Sequence, residues 1–409
     1  MRILHVHKYY YRRAGVAQYM FELMRMQEEA GHTVAPFAMH YEKNEKTIWN
    51  KYFVSNLETE SGAKKNLNAV RQTLRAFWSR EAYRKMRAML EDFKPDIVHA
   101  NNLYTHLSPS VLKACEDAGV PVVMTLHDYA LLSANYSLWN ARKNRSMDPR
   151  RLGLVATTRT RYIKGSMLAT FVLDFIVKVH HVLRAYRKRV SKFLTISNAQ
   201  RDLFLQHGFS EERTQLQYNF VSPKCQVRKP KNQIVFVGQL RSHKGPQLVI
   251  EAMKHFPDVE LRILGRGEDL PKLKKQAKGM NNVTFVGFVT QEEVGKELAA
   301  AKCAVFPSLW EEPFGLVLVE AMQCGVPVIV SNRGAFPEIV EDGVAGLIFD
   351  PDQPATLVHA IKELIEKDAI CQALSEAGKG RAIEISDPQE HLQAILDVYE
   401  DVIQAVDNF

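Results

Sequence analysis

The chain of 409 residues is longer than one hydrophobic core usually organises, so its length predicts two domains of about 200 residues each. Its composition, 46% apolar and 24% charged, is typical of an ordinary soluble globular protein. The longest apolar stretch, 167–177, is too short to cross a bilayer and is interrupted by Asp174, so we expect no transmembrane helix. The five cysteines are odd in number and widely spread, which favours a reducing cytosol.

Positive charge is concentrated in the first half of the chain. Residues 1–220 hold 34 Lys and Arg against 19 Asp and Glu, whereas residues 221–409 hold 20 against 27. A basic half favours an anionic partner, such as nucleic acid, anionic lipid or a phosphorylated substrate. No zinc finger or RNA-recognition signature accompanies the charge, so we expect no nucleic-acid partner.

The first half alternates short β-branched runs with helical stretches, a pattern typical of a parallel sheet covered by helices. Gly15 lies in the turn after the first predicted strand, and His127, followed by Asp128, comes directly after the fourth. Ligands of such sheets bind at this edge. The alternatives are a structural turn for Gly15 and a core histidine satisfied by the backbone for His127. The predicted strands are 2–6, 33–38, 96–99, 122–126 and 193–196.

Residues 141–190 are strongly basic, with 13 Lys and Arg against two acids, Asp148 and Asp174. One interpretation is an amphipathic surface that docks on an anionic membrane. The alternative is an apolar stripe that belongs to the core, with the bases as a solvated face. The stripe, at helical spacing, consists of Leu168, Phe171, Val172, Phe175, Ile176 and Val179.

A short polar segment with prolines, 222–231, separates this half from a second alternating half. We therefore place the domains at 1–222 and 223–388. The helical spacing of 391–406 predicts a final helix within 389–409 that packs on one of the two domains, and packing back on the first is one of these arrangements. The predicted strands of the second domain are 233–237, 259–264, 283–286, 303–306 and 326–330.

The segment 238–245 follows a predicted strand of the second domain and opens a helix. It contains Gly238 and two bases, Arg241 and Lys244. Fixed cations at this turn would neutralise a diphosphate. The alternative is two exposed bases on a loop, although a strand-to-helix turn in a parallel sheet is where ligands gather.

The strongest signal is the segment 310–321, which follows the predicted strand 303–306. Pro313 suits the first turn of a helix, and Gly315 lets the backbone approach a ligand. The unpaired amides around Phe314, Gly315 and Leu316 would bind a diphosphate or neighbouring hydroxyls.

Two carboxylates, Glu312 and Glu320, flank this opening and suit the vicinal hydroxyls of a ribose and a hexose. The alternative is a helix cap at Glu312 and a solvated side chain at Glu320. The acidic pair at Asp350 and Asp352 is better explained as a helix cap than as a metal site, so we expect no metal.

The stretch from Phe306 to Ile329 resembles the hallmark segment of the family 4 retaining glycosyltransferases. Their GT-B fold consists of two Rossmann-like, doubly wound α/β domains that face an interdomain cleft. The likeness covers most of the chain, including segments 127–128, 238–245, 265–267 and 334–338.

This resemblance implies an acceptor-binding first domain and a second domain that binds a nucleotide sugar. Glu320 would hold the nucleotide ribose, while Glu312 and His127 would contact the donor sugar. Gly15, Gly238 and the segment 314–316 would approach the donor, and Lys244 and Arg241 would act on its diphosphate. The chain departs from the family at Gln239, where Arg is usual, and at Ala14, where a second Gly is usual.

The implied activity is transfer of a hexose-type sugar from a UDP or GDP donor to a saccharide or lipid-linked saccharide, with retention and without metal or cofactor. A role in cell-surface polysaccharide synthesis follows, in the cytoplasm or on the inner face of the membrane. The alternatives are a UDP-sugar epimerase and a non-catalytic protein that binds nucleotide sugars. The three-glycine dinucleotide pattern is missing, which argues against a nicotinamide oxidoreductase.

Overall fold

The computed structural model describes residues 1–12, 15–56, 65–140, 142–143, 145–148, 153–163, 165–223 and 225–407. Two parallel β-sheets, each covered by helices, divide these residues into two α/β units. The predicted fold class of two Rossmann-like domains is therefore confirmed.

The first sheet has the strand order β2-β1-β3-β4-β7-β8, with every pair of neighbours parallel. The order reverses beside β1, so the loops after β1 and β3 diverge and leave a crevice at the carboxyl edge. An antiparallel hairpin, β5-β6, lies outside the sheet. The strands are β1 Arg2–Val6, β2 Thr33–Phe37, β3 Ile97–Ala100, β4 Val122–Leu126, β5 Trp139–Asn140, β6 Arg145–Ser146, β7 Lys192–Thr195 and β8 Thr214–Leu216.

The second sheet has the order β11-β10-β9-β12-β13-β14 and is also parallel. Its reversal point lies between β9 and β12, so the loops that follow these two strands flank one crevice. The strands are β9 Gln233–Val237, β10 Glu260–Leu264, β11 Val283–Gly287, β12 Cys303–Phe306, β13 Val328–Ser331 and β14 Leu347–Phe349.

Helices connect the strands and cover both sheets, as right-handed crossovers between parallel strands require. They are α1 Val16–Glu29, α2 Lys65–Phe77, α3 Arg80–Phe93, α4 Tyr104–Leu107, α5 Ser110–Asp117, α6 Leu154–Arg159, α7 Met167–Val182, α8 Asn198–Gln206, α9 Pro246–Ala252, α10 Leu270–Gln276, α11 Gln291–Ala300, α12 Leu316–Gln323, α13 Phe336–Val340, α14 Pro354–Glu366, α15 Asp368–Ser386 and α16 Pro388–Asp407.

The last helix, α16, crosses back and packs on the first sheet. Ile395 and Tyr399 are fully buried against Ile3 and Ile97. The Tyr399 hydroxyl lies 2.5 Å from His99 Nδ1, inside this apolar contact. Strand β1 and helix α16 therefore lie in the same unit, and α16 is part of the core of the first domain.

The structure contains a disulfide that the cysteine pattern did not predict. Cys225 follows the first domain, and Cys324 lies at the end of α12; the two are joined across 99 residues of sequence. Disulfides are rare in reducing compartments, so this bond does not agree with the reducing cytosol that the cysteine count favoured. The remaining cysteines, Cys115, Cys303 and Cys371, are free thiols.

In the described residues, no helix has both the length and the apolar content needed to span a membrane. Helix α7, which carries the predicted apolar stripe, nevertheless leaves part of that stripe in solvent. Leu168 is 72% exposed, Phe171 42% and Phe175 52%, whereas Ile176 is buried. The stripe therefore has an outer face as well as a core face.

Candidate active site in the interdomain cleft

The loops after β9 and β12 touch each other at the reversal point of the second sheet. Gly245, which ends the first of these loops, has φ +73°, and a Cβ at this position would lie 1.9 Å from the Pro307 carbonyl oxygen. Only glycine permits so close an approach. The contact places the loop 238–245 directly against the loop 307–315.

Lys244 and Glu312 form an ion pair at this contact. Lys244 Nζ donates to both carboxylate oxygens of Glu312, at 2.9 and 2.7 Å. Ser308 Oγ and Trp310 Nε1 also donate to Glu312 Oε2, at 2.9 and 2.8 Å. The ammonium lies 4.8 Å from the centre of the Trp310 ring. Glu312 is thus fully engaged, and it fixes the position of the Lys244 cation.

The electrostatics of Glu312 follow from these contacts. Burial of the side chain acts to raise its pKa, but the Lys244 charge and the hydrogen bonds from Ser308 and Trp310 outweigh burial and lower it. The carboxylate is therefore ionised at neutral pH and holds the Lys244 ammonium in place.

Helix α12 begins at Leu316, four residues after Glu312, and the first amides of a helix have no partner within it. Gly315, with φ +99°, precedes the helix, and Phe314 is buried beneath it. In the described residues, no backbone hydrogen bond engages the amides of Leu316 and Val317. Free amides and the positive end of the helix dipole make this end a suitable site for an anion.

Glu320 lies one turn further along α12 and differs from Glu312 in its surroundings. It is half-buried, and no described residue donates a hydrogen bond to its carboxylate or forms an ion pair with it. Burial raises its pKa to about 7. Such a carboxylate is available to hydroxyl donors from a ligand.

The two bases predicted on the loop 238–245 have different positions. Arg241 lies 3.7 Å from Glu268, with 39% of its side chain exposed, and does not share the Lys244–Glu312 pair. Gly238 donates its amide to Leu264 O at 3.0 Å, and thus lies at the base of the loop.

In the first domain, His127 lies at the end of β4 and is buried. Its Nε2 is 3.0 Å from Asn101 Oδ1, and its ring meets that of Tyr19 at 5.2 Å. Burial, followed by the charges of nearby histidines, lowers its pKa to about 3, so the ring is neutral. Gly15 begins α1 with φ +77° and open space around its Cα.

Aromatic rings bridge the cleft, and the sequence motifs gave no indication of them. Trp139 of the β5-β6 hairpin lies 6.4 Å from the His243 ring, which lies 5.5 Å from Trp310. These rings place the first domain directly over the loop that carries Lys244. His243 is adjacent to Lys244 in the sequence, so the motif 238–245 could have indicated it as a site residue. The position of Trp139 depends on the tertiary fold and could not be predicted in this way.

The described residues contain no cluster of three His, Cys, Asp or Glu able to hold a metal ion. Asp350, from the acidic pair, accepts hydrogen bonds from the Asp352 amide and from Gln353. Asp352 pairs with Arg333 at 2.5 Å. Both carboxylates therefore have local structural partners.

The whole fold is similar to that of solved proteins. HepE from Anabaena, solved with UDP and glucose, has a TM-score of 0.65 at 19% identity, with 98% of this chain and 99% of that chain covered. Sucrose-phosphate synthase from Thermosynechococcus elongatus has a TM-score of 0.70 at 17% identity, with 99% of each chain covered. The fold and the cleft define a protein of the two-domain GT-B class.

Sequence models identify the family within this class. The model of Glycosyltransferase Family 4 matches residues 13–224, and that of Glycosyl transferases group 1 matches residues 219–381. The chain belongs to family 4 of the glycosyltransferases.

Curated relatives match part of the chain. The D-inositol 3-phosphate glycosyltransferase of Corynebacterium kroppenstedtii is 33% identical over 187 residues, which cover 42% of this chain and 41% of the relative. The phosphatidyl-myo-inositol mannosyltransferase of Mycobacterium leprae is 33% identical over 177 residues, with 41% and 46% covered. These matches span less than half the length of the relatives.

Proposed function

We propose that the protein is a retaining glycosyltransferase that moves a hexose from a nucleotide sugar to a saccharide or lipid-linked saccharide. This proposal rests on one observation: the Lys244 cation lies in the loop that contacts the segment leading into α12. The first amides of α12 have no backbone partner among the described residues, and Glu320 lies one turn further along the helix. A diphosphate placed there receives a fixed charge and free backbone amides. The ribose hydroxyls of the nucleotide lie within reach of the Glu320 carboxylate.

The nucleotide in this proposal is UDP or GDP. Support for UDP comes from HepE, which was solved with UDP and glucose. Support for a hexose donor comes from the mannosyltransferase relative. Binding needs no metal in this proposal, because Lys244 and the α12 amides already supply positive potential for the diphosphate.

Transfer with retention proceeds by substitution on the front face of the sugar. The acceptor oxygen forms a bond to the anomeric carbon as the bond from that carbon to the diphosphate breaks, and the leaving diphosphate takes the acceptor proton. Lys244 stabilises the charge that develops on the leaving group. Glu312 holds Lys244 in place, so it is a positioning residue whose removal would misplace the cation.

Turnover and nucleotide binding test this proposal together. We expect UDP or GDP, but not the free sugar, to raise the melting temperature, because a ligand bound only by the native state stabilises it. Lys244→Ala and Glu320→Ala should each reduce donor turnover by about a hundredfold or more. Lys272→Ala is a matched control, because the Lys272 side chain on the same domain is 83% exposed. Donor turnover within twofold of wild type in both site variants would refute the assignment.

Product analysis separates the two alternative functions. A glycosyltransferase gains the mass of a sugar on its acceptor, whereas an epimerase changes the donor sugar without any acceptor. A non-catalytic protein binds donor with neither transfer nor hydrolysis. Mass spectrometry with and without acceptor, beside calorimetric titration of the donor, distinguishes all three outcomes.

The outer face of α7 supports peripheral binding to an anionic membrane. Leu168, Phe171 and Phe175 are exposed on one side of the helix, and the exposed bases Arg184 and Lys188 follow it. Exposed apolar side chains flanked by bases suit a negatively charged lipid surface, since both burial and charge favour binding.

Vesicle sedimentation tests the membrane proposal. The protein should sediment with vesicles of phosphatidylglycerol and phosphatidylcholine, and much less with phosphatidylcholine alone. Phe171→Ser combined with Phe175→Ser should abolish sedimentation, whereas Val344→Ser, an exposed apolar site on the second domain, should not. Equal sedimentation of the double variant would exclude α7 as the contact.

A further inference from the structure

A cavity of about 480 Å³ lies in the first domain beneath α7. Its walls come from the loop after β4, from the inner face of α7 and from the segment 184–187. Asp128 lines one part of it, and so does Gln239, which belongs to the second domain. The cavity therefore reaches the interdomain cleft and extends from there into the first domain.

Apolar side chains dominate the wall that α7 contributes. Leu173, Ile176 and Val177 of the helix face Leu131 of the loop after β4 across the cavity. Asp174, between them in sequence, is buried and accepts hydrogen bonds from Ser133 and the Ala134 amide, which holds α7 over this loop. The lining side chains between Leu173 and Val177 are therefore aliphatic, whereas His180 and His181 add polar groups at the end of the helix.

Aromatic rings continue from the cleft to the protein surface. Tyr104 lies beside Asp128 and Tyr186. The His180 ring is 5.9 Å from Tyr186 and 5.8 Å from Phe77, and Phe77 is 44% exposed. The lining residue His180 thus contacts a ring that is partly exposed to solvent.

Exposed apolar residues lie close in sequence to these groups. Leu74 on α2 is 63% exposed, and Val182 and Leu183 at the end of α7 are 77% and 57% exposed. They lie beside Phe77 and the lining residue His181 in sequence. These exposed residues therefore lie near the end of α7 that contributes His180 and His181 to the cavity lining.

Polar groups are gathered at the cleft end. The buried Tyr104 hydroxyl interacts with the Asp128 carboxylate and makes no other hydrogen bond to the described residues. Burial raises the pKa of Asp128 to about 6, against the opposing effect of the Ala130 amide. Buried polar groups of this kind favour additional hydrogen bonds, and a ligand hydroxyl bound beside the pair would supply one.

We propose that this cavity binds an aliphatic chain carried by the acceptor, so that the acceptor is lipid-linked rather than a free saccharide. This inference rests on the proposed function, because it takes the acceptor hydroxyl to lie at Asp128 in the cleft. The chain lies along Leu173, Ile176 and Val177 and leaves near Phe77. A saccharide packed against these three aliphatic side chains would lose hydrogen bonds to water that they do not replace.

Alkyl glucosides of different length test the cavity directly. Methyl, octyl and dodecyl β-D-glucoside, titrated below their critical micelle concentrations, present one sugar with different chains. We expect affinity to rise by up to about tenfold for every two methylene groups, because each buried methylene contributes favourably. Equal affinity for all three glucosides would overturn the proposal.

Variants locate the bound chain. Leu173→Trp fills the cavity and should weaken dodecyl glucoside binding by at least about tenfold. Val177→Phe is a second, smaller filling change in case the first unfolds the domain, which thermal melting reports. Val155→Trp, at a 63% exposed site on α6, and Phe175→Ser on the outer face of α7 should bind dodecyl glucoside as wild type does. Unchanged binding by both filling variants would place the chain elsewhere.

The UDP and GDP response of the same proteins separates the two proposals. A nucleotide-induced rise in melting temperature that is kept in Leu173→Trp, with chain binding lost, supports both. Chain-length dependence without any response to UDP or GDP would refute the proposed function and leave the chain site standing. A nucleotide response without chain-length dependence would refute only the lipid chain.

Discussion

At the scale of single residues, Lys244 and Glu312 stabilise each other. The pair is mostly withdrawn from water, with 23% and 9% of the two side chains exposed. Removal of one partner leaves a largely buried charge without its counter-ion. This lowers the free energy of unfolding more than replacement of both partners does. Glu312 also holds Ser308 and Trp310, so its loss affects the whole loop.

A double-mutant cycle measures this coupling. Lys244→Met and Glu312→Gln should each destabilise the fold, and the double variant should lose less than the sum of the two by about 2 kcal/mol. The pair of Lys254 and Glu251, with 52% and 56% of the two side chains exposed, is the control, and its coupling should be under about 0.5 kcal/mol. Urea unfolding gives both values, and additive effects at the buried pair would contradict this reading.

Glu320 gives the opposite dependence on pH from an ordinary ion-paired carboxylate. Its folded-state pKa of about 7 lies above its ordinary value of 4.5, so between these values the folded state holds the extra proton. The contribution of Glu320 to the free energy of unfolding is therefore complete below about pH 4.5 and is lost as the pH rises through about 7.

Glu320→Gln keeps the shape of the neutral acid and removes this titration. We expect the variant to match wild type in stability near pH 4.5 and to exceed it at pH 8. Urea unfolding at pH 4.5, 6, 7 and 8 gives the difference at each pH. A variant that is less stable than wild type at pH 8 would show that a hidden partner stabilises the carboxylate.

At the scale of elements, the sequence predicted the strands and the site loops well because both depend on local patterns. β-branched runs locate β9 and β12, and the glycines and prolines after them locate the turns that carry Lys244 and Glu312. The direct pairing of these two residues was not predicted, since it depends on the approach of Gly245 to Pro307.

Other features of the fold depend on which surfaces meet. The spacing of Phe171, Phe175 and Ile176 indicates a helix but not which side faces the core, so both readings of α7 stayed open. Short strands such as β8 and β14 carry too few residues for a periodic pattern. The bond between Cys225 and Cys324 joins positions 99 residues apart, and sequence spacing alone does not identify such a pair.

This disulfide ties the segment after the first domain to the end of α12. Closing so long a loop removes conformations from the unfolded chain, and the native state is stabilised accordingly. In the absence of reductant, Cys225→Ser should be less stable than wild type by about 3 kcal/mol. With dithiothreitol the two proteins should unfold at the same urea concentration. Cys371→Ser removes a free thiol and keeps the bond, so it should match wild type without reductant and lose stability on reduction as wild type does. Equal stability without reductant would mean that the bond does not form in solution.

At the scale of the whole molecule, the Glu338 carboxylate forms hydrogen bonds between the two domains. Glu338 lies in α13 of the second domain, and its two oxygens each accept an amide hydrogen bond, at 2.8 Å, from Asn198 and Ala199 at the start of α8 in the first domain. The Tyr218 hydroxyl donates to the same carboxylate at 3.1 Å. A negative charge at the start of a helix satisfies free amides and interacts favourably with the helix dipole.

Glu338→Ala should therefore loosen the domains relative to each other without unfolding either one. We expect a larger radius of gyration by small-angle X-ray scattering and a reduced rate of transfer, because the cleft closes over substrates less often. Glu338→Gln should lie between the alanine variant and wild type, since one amide oxygen replaces two carboxylate oxygens. Glu341→Ala is the control, because Glu341 pairs with Arg381, which also lies in the second domain. A radius unchanged in Glu338→Ala would mean that apolar contacts such as α16 on the first sheet fix the domain arrangement by themselves.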